Sequence, residues 1–88
     1  MKIKQGFVLS QVGGNTVAVA TGELSRQFAG VVVISGCGEF LWKKLSEDIT
    51  REQLIAAVLD EYDVEEARAA ADVDRFIARL AENKMLEE

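Results

Sequence analysis

Histidine and proline are absent from the 88 residues, and cysteine occurs once. Without imidazole, the side chain that titrates nearest neutrality is missing, so His-based acid–base catalysis and His-ligated metal sites are excluded. Cys37 alone cannot form an intramolecular disulfide, nor a thiolate cluster for zinc or iron–sulfur. A chain of this kind suits a reducing cytoplasm. Long apolar runs are missing too. The uncharged stretch Gln27 to Gly38 is interrupted by Gly30 and Gly36, and the longer one, Gln5 to Gly22, by Gly13-Gly14 and by polar Ser10, Gln11, Asn15 and Thr16. Neither supplies the ~20 consecutive apolar residues a membrane-spanning helix needs. The Met1-Lys2-Ile3-Lys4 start lacks the apolar core of a signal peptide. A soluble, cytoplasmic protein that does not engage membrane is therefore expected.

What is present is an ordinary globular composition, 49% hydrophobic and 28% charged. A chain this short hides only about 60–65% of its unfolded surface, which allows one modest core and no cleft between domains. One domain spanning residues 1–88 is expected. The net charge is −5 and unevenly spread. Residues 1–38 carry Lys2, Lys4 and Arg26 against Glu23, whereas residues 39–88 carry seven bases and fourteen acids. Affinity for nucleic acid comes largely from neutralising phosphates, so an acidic helical half argues against a DNA or RNA partner.

The two halves also differ in hydrophobic period. Phe7–Val12 and Thr16–Ala20 are rich in Val and Thr and flank Gly13-Gly14, the signature of a two-residue hairpin. A loop from Thr21 to about Gln27 leads to Val31-Val32-Val33-Ile34, four β-branched residues in succession and the strongest strand signal in the chain. After Gly38 the period becomes helical. Glu39–Leu45 predicts a short helix with Leu41, Trp42 and Leu45 facing inward. Thr50-Arg51-Glu52-Gln53 has the form of a capping box, and Leu54, Ile55, Val58, Leu59 and Tyr62 continue one apolar face. Asp63-Val64-Glu65-Glu66 repeats the capping logic for a third helix running to about Asn83. Met85 and Leu86 are expected to fold back onto the core. The predicted fold class is α+β, a three-stranded antiparallel sheet followed by three helices.

Candidate chemistry is sparse. The acids sit where helix starts and solvated faces account for them, so no catalytic residue, metal ligand or cofactor site is assigned and an enzyme is not expected. Cys37, between two glycines, reads either as a thiol activated near a helix N-terminus or as a small corner residue, the latter favoured. Gly13-Gly14 lacks the Lys-Ser/Thr and the following helix of a phosphate loop. Trp42 and Tyr62 fit core or rim positions better than a stacking surface.

The third strand is more informative. Edge strands are usually blunted by Lys, Pro or bulges, yet nothing from Gln27 to Gly38 is charged and the chain has no proline. The strand is either central and shielded, or an undefended edge that can accept a foreign strand. In the third helix Ala69, Val73, Ile77 and Leu80 form a core stripe. Phe76 lies off it, toward the flank bearing Asp72, Arg75 and Arg79. Phe76 is then either the margin of the core or the wall of a groove.

These residues, in this order, resemble the stand-alone PqqD family, also called the RiPP recognition element. The resemblance runs from Phe7-Val8-Leu9 and Val12-Gly13-Gly14, through Thr21-Gly22-Glu23, Phe28 and Gly30, to Gly38-Glu39-Phe40-Leu41-Trp42. It continues in Glu61-Tyr62-Asp63-Val64, Asp72-Val73 and Phe76-Ile77. Where the family often has Asn-x-Thr before the glycine, Ser35-Gly36-Cys37 stands instead. The resemblance implies a winged-helix-turn-helix-like domain that binds peptide in place of DNA. Its members capture the leader segment of a ribosomally made precursor peptide and present it to a modifying enzyme, often a radical SAM protein. Carried onto this sequence, main-chain pairing falls on Val31, Val32, Val33 and Ile34. Side-chain contacts fall on Asp72, Arg75, Phe76, Arg79 and Leu80. Two alternatives remain at this stage: a homodimer pairing through the open strand, and a winged-helix DNA-binding protein, which the acid-rich third helix disfavours.

Overall fold

A computed structural model describes residues 1–27, 32–34 and 36–87. Strands β1 (Phe7–Val12) and β2 (Asn15–Ala20) form the hairpin. Gly13 and Gly14 take positive φ values of 57° and 86°, the type I′ geometry whose twist matches paired strands and which glycine adopts without steric cost. A 3-10 helix, Gly22–Arg26, occupies the segment expected to be a plain loop. Strand β3 (Val32–Ile34) follows. Val31, expected to open this strand, and Phe28 and Gly30 before it lie outside the described residues, as does Ser35. The helices are α1 (Gly38–Lys44), α2 (Arg51–Glu61) and α3 (Glu66–Glu82).

The sheet is antiparallel in the order β1-β2-β3. The α+β class and element order agree with the sequence reading. Register pairs Val12 with Asn15 across the turn, and Ala18 and Thr16 with Val32 and Ile34 on the other side of β2. Alternation then sends Phe7, Leu9, Ala18, Val32 and Ile34 to the helix-covered face, where Ala18 and Ile34 are buried and the others pack against the core. Val8, Val12 and Val33 project from the opposite face and stay exposed.

Leu41, Leu45, Leu54, Val73, Leu80 and Met85, each at most 1% exposed, form the centre of the core. Trp42 is buried among them, as the sequence indicates. The capping box on α2 is complete: the Gln53 N–H donates to Thr50 Oγ1 (3.1 Å), and the Thr50 N–H donates to Gln53 Oε1 (3.0 Å). The box expected at Asp63–Glu66 does not form. Helix α3 begins at Glu66, and Glu65 at its N-cap makes no side-chain capping bond. Asp63 is two residues too early to reach the orphan N–H groups of the first turn.

Both chain ends join the core. The Ile3 N–H donates to the Leu45 carbonyl (2.9 Å), the Lys4 N–H to that of Met85 (2.8 Å), and Ile3 bridges Leu86. The return of the tail depends on Lys84, at φ 57°. From there Lys84 and Met85 donate back to Ala81 and Leu80, the paired bonds of a Schellman C-cap built without the usual glycine. Arg51 grips Asp74 with both forks, at 2.6 and 2.9 Å, and ties the start of α2 to the middle of α3. The Asp74 carboxyl is held below its ordinary pKa by this guanidinium, and Arg51 is raised in turn. Asp48 is likewise lowered, by its bond from the N-terminal ammonium at 2.8 Å. No helix among the described residues is long and apolar enough to cross a membrane.

Candidate functional site

The hairpin fixes which backbone groups of β3 are free. In a two-residue hairpin the closing pair, Val12 and Asn15, exchanges hydrogen bonds, so alternate residues of β2 point their N–H and C=O toward β1. The Thr21 N–H donating to the Gly6 carbonyl at 2.7 Å continues the same phase. Asn15, Val17 and Val19 therefore serve β1, and Thr16 and Ala18 serve β3. Through the register, Val32 and Ile34 face β2, while the N–H and C=O of Val33 face the outer edge. Among the described residues β3 pairs only with β2. The strand that sequence left as central or edge is an edge, and Val33 carries its outward donor and acceptor.

Two residues past Ile34 the chain enters the wall of a cleft of about 580 Å³. Gly36, Cys37 and Gly38 form one side of it, and Leu41, Val58, Tyr62, Val64 and Phe76 supply apolar surface. Gly38 sets how closely these elements approach. A Cβ placed there would lie 2.9 Å from Ile34 Cγ2 and 3.2 Å from Phe76 Cε1, closer than side chains tolerate. Glycine thus lets the end of β3 and the start of α1 press against α3. Phe76 is only 9% exposed. The alternatives posed by sequence, core margin or groove wall, resolve into both: the ring packs in the core and presents its remaining surface to the cleft. Tyr62 stands at the rim, its ring edge-on to Phe40 with centroids 5.5 Å apart.

The opposite wall is one stripe of α3. Arg68, Asp72, Arg75 and Arg79, at helical spacings of four, three and four, all line the cleft. Asp72 sits deepest, its side chain 27% exposed against 75% and 76% for Arg68 and Arg75. It accepts a hydrogen bond from Arg75 (3.3 Å) and lies 3.9 Å from Arg68 Nε. Arg79 has no acidic partner among the described residues. In a chain with a net charge of −5, this cleft gathers three of the five arginines around one acid.

Of the residues singled out in the sequence, Val32, Val33 and Ile34 lie in the edge strand, and Asp72, Arg75, Phe76 and Arg79 line the cleft beyond its end. Leu80 requires correction as a contact residue. It is fully buried, because it belongs to the stripe that fills the core, and it has no surface for a ligand. Arg68, Tyr62 and Val64 were missed. Arg68 was legible, one turn before Asp72 on the same stripe. Tyr62 and Val64 enter through the α2–α3 connection, whose path no helical period reveals. Cys37 lines the cleft half-buried and makes no capping bond to α1, consistent with the corner-residue reading. Among the described residues no cluster of His, Cys, Asp or Glu is arranged to hold a metal ion.

Comparison with known proteins places this geometry. The sequence matches the family described as coenzyme PQQ synthesis protein D (PqqD) over residues 29–86. Among solved structures the fold is similar to that of TbiB1 in complex with the TbiA(beta) leader peptide. The TM-score is 0.76 and the identity 24%, over 99% of this chain and 95% of that one. No curated protein matches.

Proposed function

The chain belongs to the PqqD family, and from that premise we propose that it is a non-catalytic adaptor that captures the leader segment of a ribosomally made precursor peptide. The leader adds as a strand to the outer edge of β3, pairing with Val33, and its side chains enter the cleft beside α3. The captured precursor is then presented to a modifying enzyme, which we take to be a radical SAM protein acting in the cytoplasm. The adaptor itself needs no cofactor.

One observation carries this reading: the outward N–H and C=O of Val33 on an edge whose chain runs on into an apolar cleft. Soluble proteins usually defend such edges, and this one has neither a charge nor a proline. TbiB1, of similar fold, is known in complex with a leader peptide, which supports leader capture by this chain. Backbone pairing supplies affinity that tolerates sequence, each hydrogen bond a net ~0.5–1.5 kcal/mol. An apolar leader side chain buried against Phe76 adds roughly 1.5–3 kcal/mol and gives selectivity. Ordering a flexible leader opposes both, so binding near micromolar or somewhat tighter is expected.

The test is a titration of isotope-labelled protein with leader segments of precursor peptides encoded beside it. Amide shifts concentrated in Val32–Ile34 and along Arg68–Arg79 are expected. Saturable binding with shifts confined to β1 and the chain ends would place the site elsewhere and overturn the reading. If the protein dimerises through β3 without peptide, light scattering reports a doubled mass, and leader peptide competes with the dimer.

A further inference from the structure

The charge arrangement in the cleft goes beyond peptide capture as such, although it rests on that reading. Random placement of fifteen acids and ten bases would leave a groove on this protein acidic. Instead the cleft wall is net positive, and its one acid is already engaged by two of the three arginines. A cationic rim over an apolar floor is complementary to a segment carrying an apolar side chain beside carboxylates.

Spacing narrows this further. Arg75 and Arg79 are one turn apart, about 6 Å along the helix axis. Side chains on one face of an extended strand repeat every two residues, at about 6.6 Å. A strand laid along α3 therefore matches the two guanidinium groups with acids two residues apart. The geometry points to a peptide ligand in which an apolar anchor lies next to an acid-x-acid pair, with Arg75 and Arg79 receiving the two carboxylates. Asp72 is an internal competitor for Arg75. Its carboxylate occupies the position a ligand carboxylate takes, and Arg75 exchanges one for the other on binding. These groups are largely exposed, so the charges discriminate among peptides more than they hold them, and salt weakens the effect.

The experiment is a selection of random displayed peptides on the wild-type protein and on the Arg75→Gln/Arg79→Gln double variant, with circular dichroism verifying both folds. Wild-type protein is expected to enrich Asp or Glu at two positions two residues apart beside Leu, Ile, Val or Phe. The double variant should keep the apolar residue and lose the acids. A recovered peptide, synthesised with both acids changed to Gln, should bind about three- to tenfold more weakly at low salt, with the gap closing near 0.5 M NaCl. Asp72→Asn should tighten the acidic peptide about two- to fivefold, by more than it changes binding of the Gln version. Enrichment without acids, or weaker acidic-peptide binding in Asp72→Asn, overturns the inference. If such peptides still shift the Val33 amide, capture at the edge stands. If no recovered peptide perturbs β3 or α3, the capture reading fails and the inference with it.

Discussion

Val33→Pro isolates the outward backbone of β3 from the rest of the fold. The hairpin phase turns the Val33 N–H away from β2, so replacing it removes no internal ladder bond. Proline is tolerated on edge strands where the missing donor faces solvent. The same substitution one residue earlier, Val32→Pro, deletes a donor facing Ala18 and opens the β2–β3 ladder. The two variants should therefore separate. Val33→Pro loses one intermolecular hydrogen bond of about 0.5–1.5 kcal/mol, a two- to twelvefold rise in the Kd for leader peptide, and the stiff ring adds to it by opposing close pairing. Its urea midpoint should stay near wild type. Val32→Pro should lose about 1–3 kcal/mol of stability from the carbonyl left unpaired. Calorimetric titration and urea unfolding on both proteins give the comparison. Unchanged peptide affinity in a folded Val33→Pro protein would refute pairing at this edge. Unfolding by Val33→Pro with Val32→Pro intact would refute the hairpin phase from which the edge was derived.

Three further outcomes follow from local geometry. Gly38→Ala should lower stability by about 1–3 kcal/mol in urea unfolding, because the new Cβ meets Ile34 and Phe76 at 2.9 and 3.2 Å; a neutral result would mean the β3–α3 contact is loose. Lys84→Gly should raise stability by roughly 0.5–1 kcal/mol, since φ 57° suits glycine and strains lysine, and thermal melting reads the gain directly. Asp74 and Asp48 have carboxyls held below the ordinary 3.8. The stability they lend is complete above that value and is lost as pH falls through the lowered folded values. In Asp74→Asn the decline in stability below about pH 4 should be shallower than in wild type, as followed by far-UV circular dichroism.

The way each element was recognised explains what could be foreseen. Gly13-Gly14 and Thr50–Gln53 act within four residues of themselves, so their turn and cap follow from local sterics and hydrogen bonding. Failure at Asp63–Glu66 has the same scale: a two-residue shift in where α3 starts leaves Asp63 outside the first turn, with Glu65 at the N-cap and Glu66 as the first helical residue. Phe76 shows where a helical wheel stops being sufficient. The wheel places the ring at the margin of a stripe, and only the approach of Gly38 and Ile34 makes that margin both a core contact and a cleft floor. The return of Met85 and Leu86 to the core was legible in their apolar character. The tie of Ile3 to Leu45 and Leu86 had no signal, because residues far apart in sequence meet there through backbone bonds that any side chain permits.

Sequence by itself determined the α+β class, the order of the strands and α-helices, most core positions of the helices, and the uncharged, proline-free character of β3. Leu59 and Tyr62, expected on the core face of α2, are exposed, and Ile77 is only partly buried. The features that were legible depend on periodicity and on the chemistry of near neighbours. Tertiary structure alone decided that β3 lies at the sheet's edge, that Val33 points outward, and that three arginines of an acidic chain converge over one cleft. Each of those is a relation between distant segments, set by how a sheet and three helices bury their apolar faces against one another.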